Sequence, residues 1–145
     1  MFEVIYYSLT GNSKKVAEAI ATELDVIAEN VKTKAKLAEE SFVFLGKGLY
    51  GGPLRSRRLK KFIDGNNFDG RKVALFGTSG NGKGKEVEAL EETLTAKGAK
   101  ISGRFYCKGE FLFIINRKHP TSEDLENARK FARELVLQRD FTPVE

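Results

Sequence analysis

Short apolar segments alternate with amphipathic segments along the chain. Apolar runs of this length are typical of buried strands, and three of them are clear: Phe2–Tyr7, Ser41–Leu45 and Lys72–Gly77. Alternation of apolar and polar residues predicts a further strand over Lys100–Cys107, and Asp25–Val31 is a weaker candidate.

Four other segments have apolar residues at the spacing of one helix face. The first opens at Asn12, the second follows Pro53, the third ends at Gly98 and the last is capped by Thr121. Their apolar faces comprise Val16, Ala19, Ile20 and Leu24; Leu54, Leu59, Phe62 and Ile63; Val87, Leu90, Leu94 and Ala96; and Leu125, Ala128, Phe131, Ala132, Leu135 and Val136. This alternation of strands and helices predicts an α/β fold with a mostly parallel sheet covered on both faces.

Length and composition favour a single cytoplasmic domain over residues 1–145. No linker divides the 145 residues, and a chain of this size can bury a sizeable core. The longest apolar run, Phe111–Ile115, is far too short to span a membrane, and it either extends the sheet edge or packs over its end. Met1–Val4 does not resemble a signal peptide. A single cysteine excludes an intrachain disulfide and a multi-cysteine metal site.

The net charge of +5 is concentrated in one stretch of the chain. Residues 32–61 carry nine basic side chains against Glu39 and Glu40. The basic residues are Lys32, Lys34, Lys36, Lys47, Arg55, Arg57, Arg58, Lys60 and Lys61. Such a stretch is either a solvated surface or a face for an anionic partner.

Three loops rich in small or hydroxyl residues follow predicted strands: Ser8–Ser13, Gly46–Gly52 and Thr78–Gly84. In an open parallel sheet, ligands bind beyond the carboxyl ends of the strands, where these loops lie. The first loop combines three hydroxyls, an amide and the N–H groups of a helix N-terminus, which are the donors that a phosphate requires. It contains no lysine and lacks the Gly-x-x-x-x-Gly-Lys pattern of nucleoside triphosphatases. An ordinary polar helix cap is the alternative interpretation.

The segment from Tyr7 to Ser13 resembles the phosphate-binding signature of flavodoxins, Ser/Thr-x-Thr-Gly-Asn-Thr, with only Ser13 departing from it. Phe44–Gly46 with Tyr50–Pro53 resembles the second flavin loop of that family, and Phe76–Gly80 resembles the third. The resemblance covers nearly the whole chain. It implies a three-layer domain with a five-stranded parallel sheet of order 2-1-3-4-5.

The resemblance also implies FMN as the cofactor. Its phosphate would lie on Ser8, Thr10, Asn12 and Ser13, and its ring would lie between the second and third loops. The implied contact residues are Ser8, Leu9, Thr10, Gly11, Asn12, Ser13, Gly46, Lys47, Gly48, Leu49, Tyr50, Gly51, Thr78, Ser79, Gly80, Asn81 and Gly82. Tyr50 is the candidate for stacking on the ring, or else it packs on Pro53. The third loop lacks an aromatic residue, which departs from the common flavodoxin pattern.

Other reactive side chains are expected to be structural. Lys47 and Lys83 are either exposed to solvent or part of a basic docking face, in contrast to the acidic surfaces of most flavodoxins. His119 is expected to be a turn residue. Cys107 is expected to be a buried apolar residue, or to line the outer edge of the flavin.

The function that the resemblance favours is electron transfer between redox partners, with FMN performing the chemistry and a partner that carries an acidic docking face. A quinone reductase of the same fold and a flavodoxin-like activator of ribonucleotide reductase are the alternatives. A phosphorylated receiver domain is disfavoured because the first strand ends in Tyr6-Tyr7-Ser8 and not in acidic residues. A nucleic-acid binder fits the charge but lacks a recognition motif, and no membrane partner is expected.

Overall fold

The computed structural model describes residues 1–8, 11–34, 36–48, 57–79, 83–108 and 119–141. Five strands and four helices lie within these ranges and alternate in the predicted order. They are β1 (Phe2–Tyr7), α1 (Asn12–Leu24), β2 (Ala28–Asn30), β3 (Phe42–Gly48), α2 (Arg57–Asp64), β4 (Lys72–Ser79), α3 (Lys85–Ala96), β5 (Lys100–Lys108) and α4 (Ser122–Phe141).

The strands form one parallel sheet of order β2-β1-β3-β4-β5, which confirms the predicted topology. The order reverses at β1, because the chain adds β2 on one side of this strand and β3 on the other. Strand β3 lies between β1 and β4 and is buried throughout. This arrangement places the carboxyl ends of β1, β3 and β4 side by side, at the edge where ligands bind in such sheets.

Two apolar clusters cover the two faces of the sheet. On one face, Phe44 and Phe76 pack with α1 and α4 through residues such as Val16 and Ala132. On the other face, Leu45 and Leu75 pack with α2 and α3, and the cluster includes Leu59, Phe62, Leu90 and Leu94. The alternation of side chains along β3 therefore sends Phe42, Phe44 and Gly46 to the first face and Val43, Leu45 and Lys47 to the second.

Helix ends follow their predicted signals. Gly98, just after α3, has a positive φ of 90°, which glycine adopts without strain. Thr121 accepts a hydrogen bond from the N–H of Asp124 (3.1 Å) and caps α4. Ala96 is exposed, so its predicted place on the buried face of α3 is wrong.

Two strands extend further than the sequence predicts. Strand β3 was expected to stop before Gly46 but continues through Gly48, and β4 continues past Gly77 to Ser79. The additional residues pair in register with neighbouring strands, and this pairing is a long-range interaction that the local glycine content does not reveal.

The segments 49–56 and 109–118, including the predicted run Phe111–Ile115, lie outside the described residues. In the described part of the chain, no helix is long and apolar enough to cross a membrane.

Candidate functional site

The first predicted loop ends in a helix start that has no side-chain cap. Gly11 is the N-cap of α1, with a φ of 89°, and it lacks a side chain that could accept hydrogen bonds from the first helical turn. Its own N–H donates to the hydroxyl of Ser8 (2.9 Å), and the first intrahelical bond runs from Lys15 N–H to the Gly11 carbonyl (3.1 Å). A helix N-terminus capped in this way suits an anion such as a phosphate, because N–H groups and the helix dipole point toward it.

A hydrogen bond between hydroxyls joins the first loop to the third. Ser13, in the first turn of α1, lies 3.0 Å from Thr78 near the end of β4, measured between the two side-chain oxygens. Both residues are buried, with exposures of 0% and 1%. The bond fixes the N-terminus of α1 relative to the strand from which the third loop departs. It also means that the Ser13 hydroxyl has a protein partner, so its predicted phosphate contact must share that oxygen or use the Ser13 main chain.

The glycine at position 46, within β3, serves packing. A Cβ at Gly46 would lie 2.2 Å from ring atoms of Phe76, whose side chain is fully buried on the same face. No side chain fits there without moving this ring. The close approach at Gly46 is therefore to Phe76. Its predicted contact with the cofactor stays a prediction.

Lys47 is buried, and the expectation that it is solvent-exposed or part of a docking face is wrong. Its exposure is 1%, because β3 continues to Gly48 and turns the Lys47 side chain toward α3. A fully buried acid, Glu86, lies on the same side of the sheet in the first turn of α3. The lysine and the carboxylate interact electrostatically, so the positive charge of Lys47 has a buried counterpart.

A glycine makes room for this carboxylate. Gly77 pairs with Lys47 in the sheet, and a Cβ at Gly77 would lie 2.5 Å from both Cγ and Oε1 of Glu86. The acid therefore lies directly over the backbone of β4. Among the described residues, neither carboxylate oxygen of Glu86 has a hydrogen-bond partner. A buried polar group in this state is costly and is typical of functional sites.

Burial shifts both groups toward their neutral forms. Burial raises the pKa of Glu86, against the opposing effects of its own main chain and of Lys47. It lowers the pKa of Lys47, against the opposing effect of Glu86. The sequence analysis missed Glu86, which looked like an ordinary acidic residue in the first turn of a helix. The available signal was Lys47 itself, since a lysine within a buried strand requires a partner.

The end of β4 and the neighbouring β5 complete the described part of this edge. Thr78 and Ser79 are buried strand residues, and Thr78 pairs with Cys107 in β5. Burial raises the pKa of Cys107 to about 12, and Asp124 and Glu86 add to the effect, so the thiol is neutral and unreactive. This environment fits the expected apolar role of Cys107.

His119 belongs to the start of α4. Its Nδ1 lies 3.2 Å from Oδ2 of Asp124, and the same oxygen accepts the N–H of Thr121 (2.9 Å). These contacts fit the expected turn role of His119. No group of three or more potential metal ligands occurs in the described residues.

Several predicted contact residues lie outside the described part of the chain. They are Leu9, Thr10, Leu49, Tyr50, Gly51, Gly80, Asn81 and Gly82. The described members of the predicted set all lie at the carboxyl edge: Ser8, Gly11, Asn12, Ser13, Gly46, Lys47, Gly48, Thr78 and Ser79. The topology brings the described residues of all three predicted loops to the same edge of the sheet.

A family model of the flavodoxin domain matches residues 3–115. The chain belongs to the flavodoxin family. A flavodoxin of Clostridium beijerinckii is 31% identical over 109 residues, covering 68% of this chain and 79% of the relative. The flavodoxin-like domain-containing protein BilS of Clostridioides difficile is 32% identical over 126 residues, covering 80% of this chain and 70% of the relative. Among solved structures, an archaeal flavodoxin matches with a TM-score of 0.73 and 18% identity, covering 96% of this chain and 98% of the other, which shows the shared fold.

FMN is therefore the cofactor of this flavodoxin. The described residues fit its phosphate, because the N-cap of α1 is a glycine that makes no side-chain cap hydrogen bond. Ser8 lies beside this cap, held by Gly11, and supplies a hydroxyl. The donors are neutral, and the helix dipole supplies the favourable potential.

Proposed function

We propose that this flavodoxin is a carrier that moves electrons between redox partner proteins in the cytoplasm, and that its partners carry an acidic docking face. Bound FMN supplies the electron-transfer chemistry, and the chain binds it, orients it and selects the partners. The observation that carries the proposal is the start of α1, where the Gly11 cap has no side-chain acceptor and Ser8 lies next to it.

Each segment of the carboxyl edge has a role in this proposal. Ser8, Thr10, Asn12 and Ser13 bind the phosphate at the α1 N-terminus. Gly48 and Tyr50 border the ring on one side, with Tyr50 stacked on it, and Thr78 through Gly82 border the other. The hydrogen bond between Ser13 and Thr78 (3.0 Å) supports this arrangement, because it would hold the proposed phosphate site and the proposed ring site at a fixed separation.

The charge of α2 supports the acidic partner. Its outer surface carries four exposed cations, Arg57, Arg58, Lys60 and Lys61, and its one acid, Asp64, is paired with Lys97 (2.9 Å). Charge of one sign on one face attracts a partner of the opposite sign and accelerates encounter.

Titration of the apo-protein with FMN and with riboflavin tests the phosphate site. Each charge-assisted hydrogen bond to the phosphate contributes about 1.5–3 kcal/mol, so FMN should bind at least tenfold more tightly than riboflavin. Gly11→Asp compared with Gly11→Asn tests the charge, because both side chains meet the same backbone strain at a φ of 89° but only the carboxylate repels the phosphate. Equal affinities for the two flavins would contradict the phosphate site.

Acceptor specificity tests the carrier function. The reduced protein should transfer electrons to ferricyanide faster than to hexaamminecobalt(III) after correction for driving force, since a basic surface attracts the anionic acceptor. Added salt should narrow the difference. Rapid oxidation of NADH or NADPH by quinones, catalysed by the protein alone, would favour a reductase instead.

A further inference from the structure

A groove with a basic lining runs between α2 and the segment that follows β2. Its volume is about 500 Å³. Five cations line this basic groove, over a floor that includes Val31 and Phe62: Lys32, Lys34, Lys36, Arg58 and Lys61. None of the described residues that line it is acidic.

The wall formed by residues 31–34 is held by a turn. Asn30 accepts the N–H of Lys32 on its side chain (2.9 Å), and its carbonyl accepts the N–H groups of Thr33 (3.0 Å) and Lys34 (2.9 Å). The next part of the chain is tied to the end of α2, where Lys36 Nζ donates to the carbonyl of Gly65 (2.7 Å). The groove therefore exists before any ligand binds, which lowers the entropic cost of binding.

Two of the five cations bond to described groups, and three have no ion-pair partner among the described residues. Lys34 pairs with Glu3 (3.0 Å) and Glu29 (3.3 Å), and Lys36 bonds to Gly65. For Lys32, Arg58 and Lys61, no described carboxylate lies within ion-pair distance. These three exposed charges come from both walls, so an anion in the groove would contact cations on two sides.

We propose that the basic groove binds a carboxylate-rich segment of the redox partner protein. The proposal rests on the proposed carrier function, and it assigns the acidic docking to one place on the surface. Cations that are distributed along two walls can each contact a separate carboxylate. They therefore suit a segment with several carboxylates better than they suit a single anion. Among the described residues that line the groove, no exposed aromatic side chain is available for stacking on a nucleic-acid base, so an acidic peptide is favoured over a single-stranded nucleic acid.

The location of the groove also favours a redox partner. Helix α2 forms one wall, and it begins at Arg57, directly after residues 49–56, which include the predicted ring contacts Tyr50 and Gly51. Basic residues continue over the outer surface of α2, where Arg57, Lys60 and Lys61 border a second depression. The first turn of α2, which contributes Arg58 to the groove, therefore directly follows in sequence the loop that is predicted to border the ring.

Binding of a fluorescein-labelled hexaglutamate peptide to the FMN-loaded protein tests the proposal. Arg58→Glu with Lys61→Glu should weaken binding at low salt by about tenfold or more, because two attractive contacts become repulsive. The matched control is Lys100→Glu with Lys130→Glu, which makes the same change in net charge at exposed lysines outside the groove. The control should change the affinity by less than about threefold.

Two outcomes would overturn the groove assignment. Equal weakening in both double variants would mean that the peptide responds only to net charge. Stronger competition by inorganic phosphate or by a DNA oligonucleotide than by unlabelled peptide would mean that the groove recognises another anion. Amide shifts in an NMR titration should confine peptide contacts to residues 31–36 and 58–65, and shifts centred elsewhere would also contradict the proposal.

The same samples separate this proposal from the carrier function. The flavin absorbance and FMN affinity of each variant report on the cofactor site, which the groove substitutions do not touch. A protein that binds FMN and reduces acceptors but does not bind the peptide overturns the groove proposal alone. A protein that binds the peptide but not FMN overturns the carrier function and leaves the anion site standing.

Discussion

Two carboxylates at opposite edges of the sheet have contrasting hydrogen-bond environments. At the amino edge, Glu3 accepts hydrogen bonds from the Ser41 hydroxyl and the Ala38 N–H (3.1 Å) and pairs with Lys34. At the carboxyl edge, Glu86 is fully buried, and its oxygens have no hydrogen-bond partner in the described ranges. The hydrogen bonds at the amino edge stabilise the fold, whereas the carboxyl edge retains a buried polar group that costs stability. Such a cost is typical of functional sites.

Neighbouring groups extend this contrast. Arg71 donates from Nη1 to the carbonyls of Ala38 and Ser41 (3.0 Å each) and to the Ser41 hydroxyl (2.8 Å), so the network around Glu3 is cross-linked. Burial alone would raise the pKa of Glu3, but the hydrogen bonds from Ser41, Lys34 and Ala38 bring it below its usual value. For Glu86, burial prevails and the pKa is raised. The opposite directions of the two pKa shifts follow from the deeper burial of Glu86 and from the hydrogen bonds that Glu3 accepts.

Removal of the buried lysine should have the largest effect. Lys47→Met leaves Glu86 buried without its cation, and we expect the free energy of unfolding to fall by about 3 kcal/mol near neutral pH. Adding Glu86→Gln should restore most of the loss, because no buried charge remains. Urea denaturation of the single and double variants measures both effects. Lys72→Met, at an exposed lysine that begins β4, is the control. A loss no larger than in this control would mean that the pair contributes nothing.

The pH dependence of the Lys47→Met loss sharpens the comparison. Because the folded-state pKa of Glu86 is raised above 4.5, its contribution to stability is fully present below the unfolded-state pKa and is lost as pH rises through the folded value. The destabilisation by Lys47→Met should therefore be smallest near the unfolded pKa of about 4.3 and grow toward neutral pH. Denaturation midpoints across this range provide the measurement. A loss that is constant with pH would show that the effect comes from packing.

The amino edge should respond with the opposite sign. Glu3→Gln removes charge-assisted hydrogen bonds and should cost about 1–2 kcal/mol at neutral pH. The folded-state pKa of Glu3 is lowered, so its contribution is present above 4.5 and is lost as pH falls through the folded value. The variant and the wild type should therefore converge in acid. Glu29→Gln, which removes the more exposed acid paired with Lys34, should cost less than half as much. Divergence in acid would contradict the network.

The bond between the two loops should have the smallest effect on stability. Ser13→Ala leaves the buried Thr78 hydroxyl without this partner and should lower the free energy of unfolding by about 1 kcal/mol. It should also weaken FMN binding, since the loops are no longer fixed together. Thr22→Ala removes an exposed hydroxyl bond within α1 and is the control for both measurements. Unchanged FMN affinity would limit the role of the bond to folding.

Local sequence pattern was sufficient for most of the fold. All nine elements in the described ranges occur in the predicted order, because apolar periodicity and cap residues act over a few positions. The pattern failed at Lys47, where a charged residue between two glycines looked like a loop. Lys47 is buried in the pairing of β3 with β4. Glu86, which interacts with it electrostatically, lies far along the chain and reaches the same side of the sheet only when β3, β4 and α3 assemble.

The same limit applies to the candidate site. The first loop was predicted from its hydroxyls, its glycine and the helix that follows, and the structure places these groups at a helix N-terminus. The bond from Ser13 to Thr78 was not predictable, because it joins residues that only the parallel sheet brings together. The sequence showed the basic stretch as a local excess of lysine and arginine. Which of these cations form ion pairs or hydrogen bonds within the protein depends on tertiary contacts.

The glycine beneath Glu86 has a consequence for how this chain can evolve. A methyl group at position 77 would lie 2.5 Å from the side chain of Glu86. A larger residue at position 77 therefore requires a smaller side chain at position 86. Lys47 is coupled to both positions, since loss of its charge leaves the buried Glu86 without this cation. We expect relatives of this protein to change positions 47, 77 and 86 together. A relative with a larger residue at position 77 should have a smaller, uncharged residue at position 86 and an apolar residue at position 47. A replacement at position 77 during evolution would therefore restrict which residues positions 86 and 47 can accept.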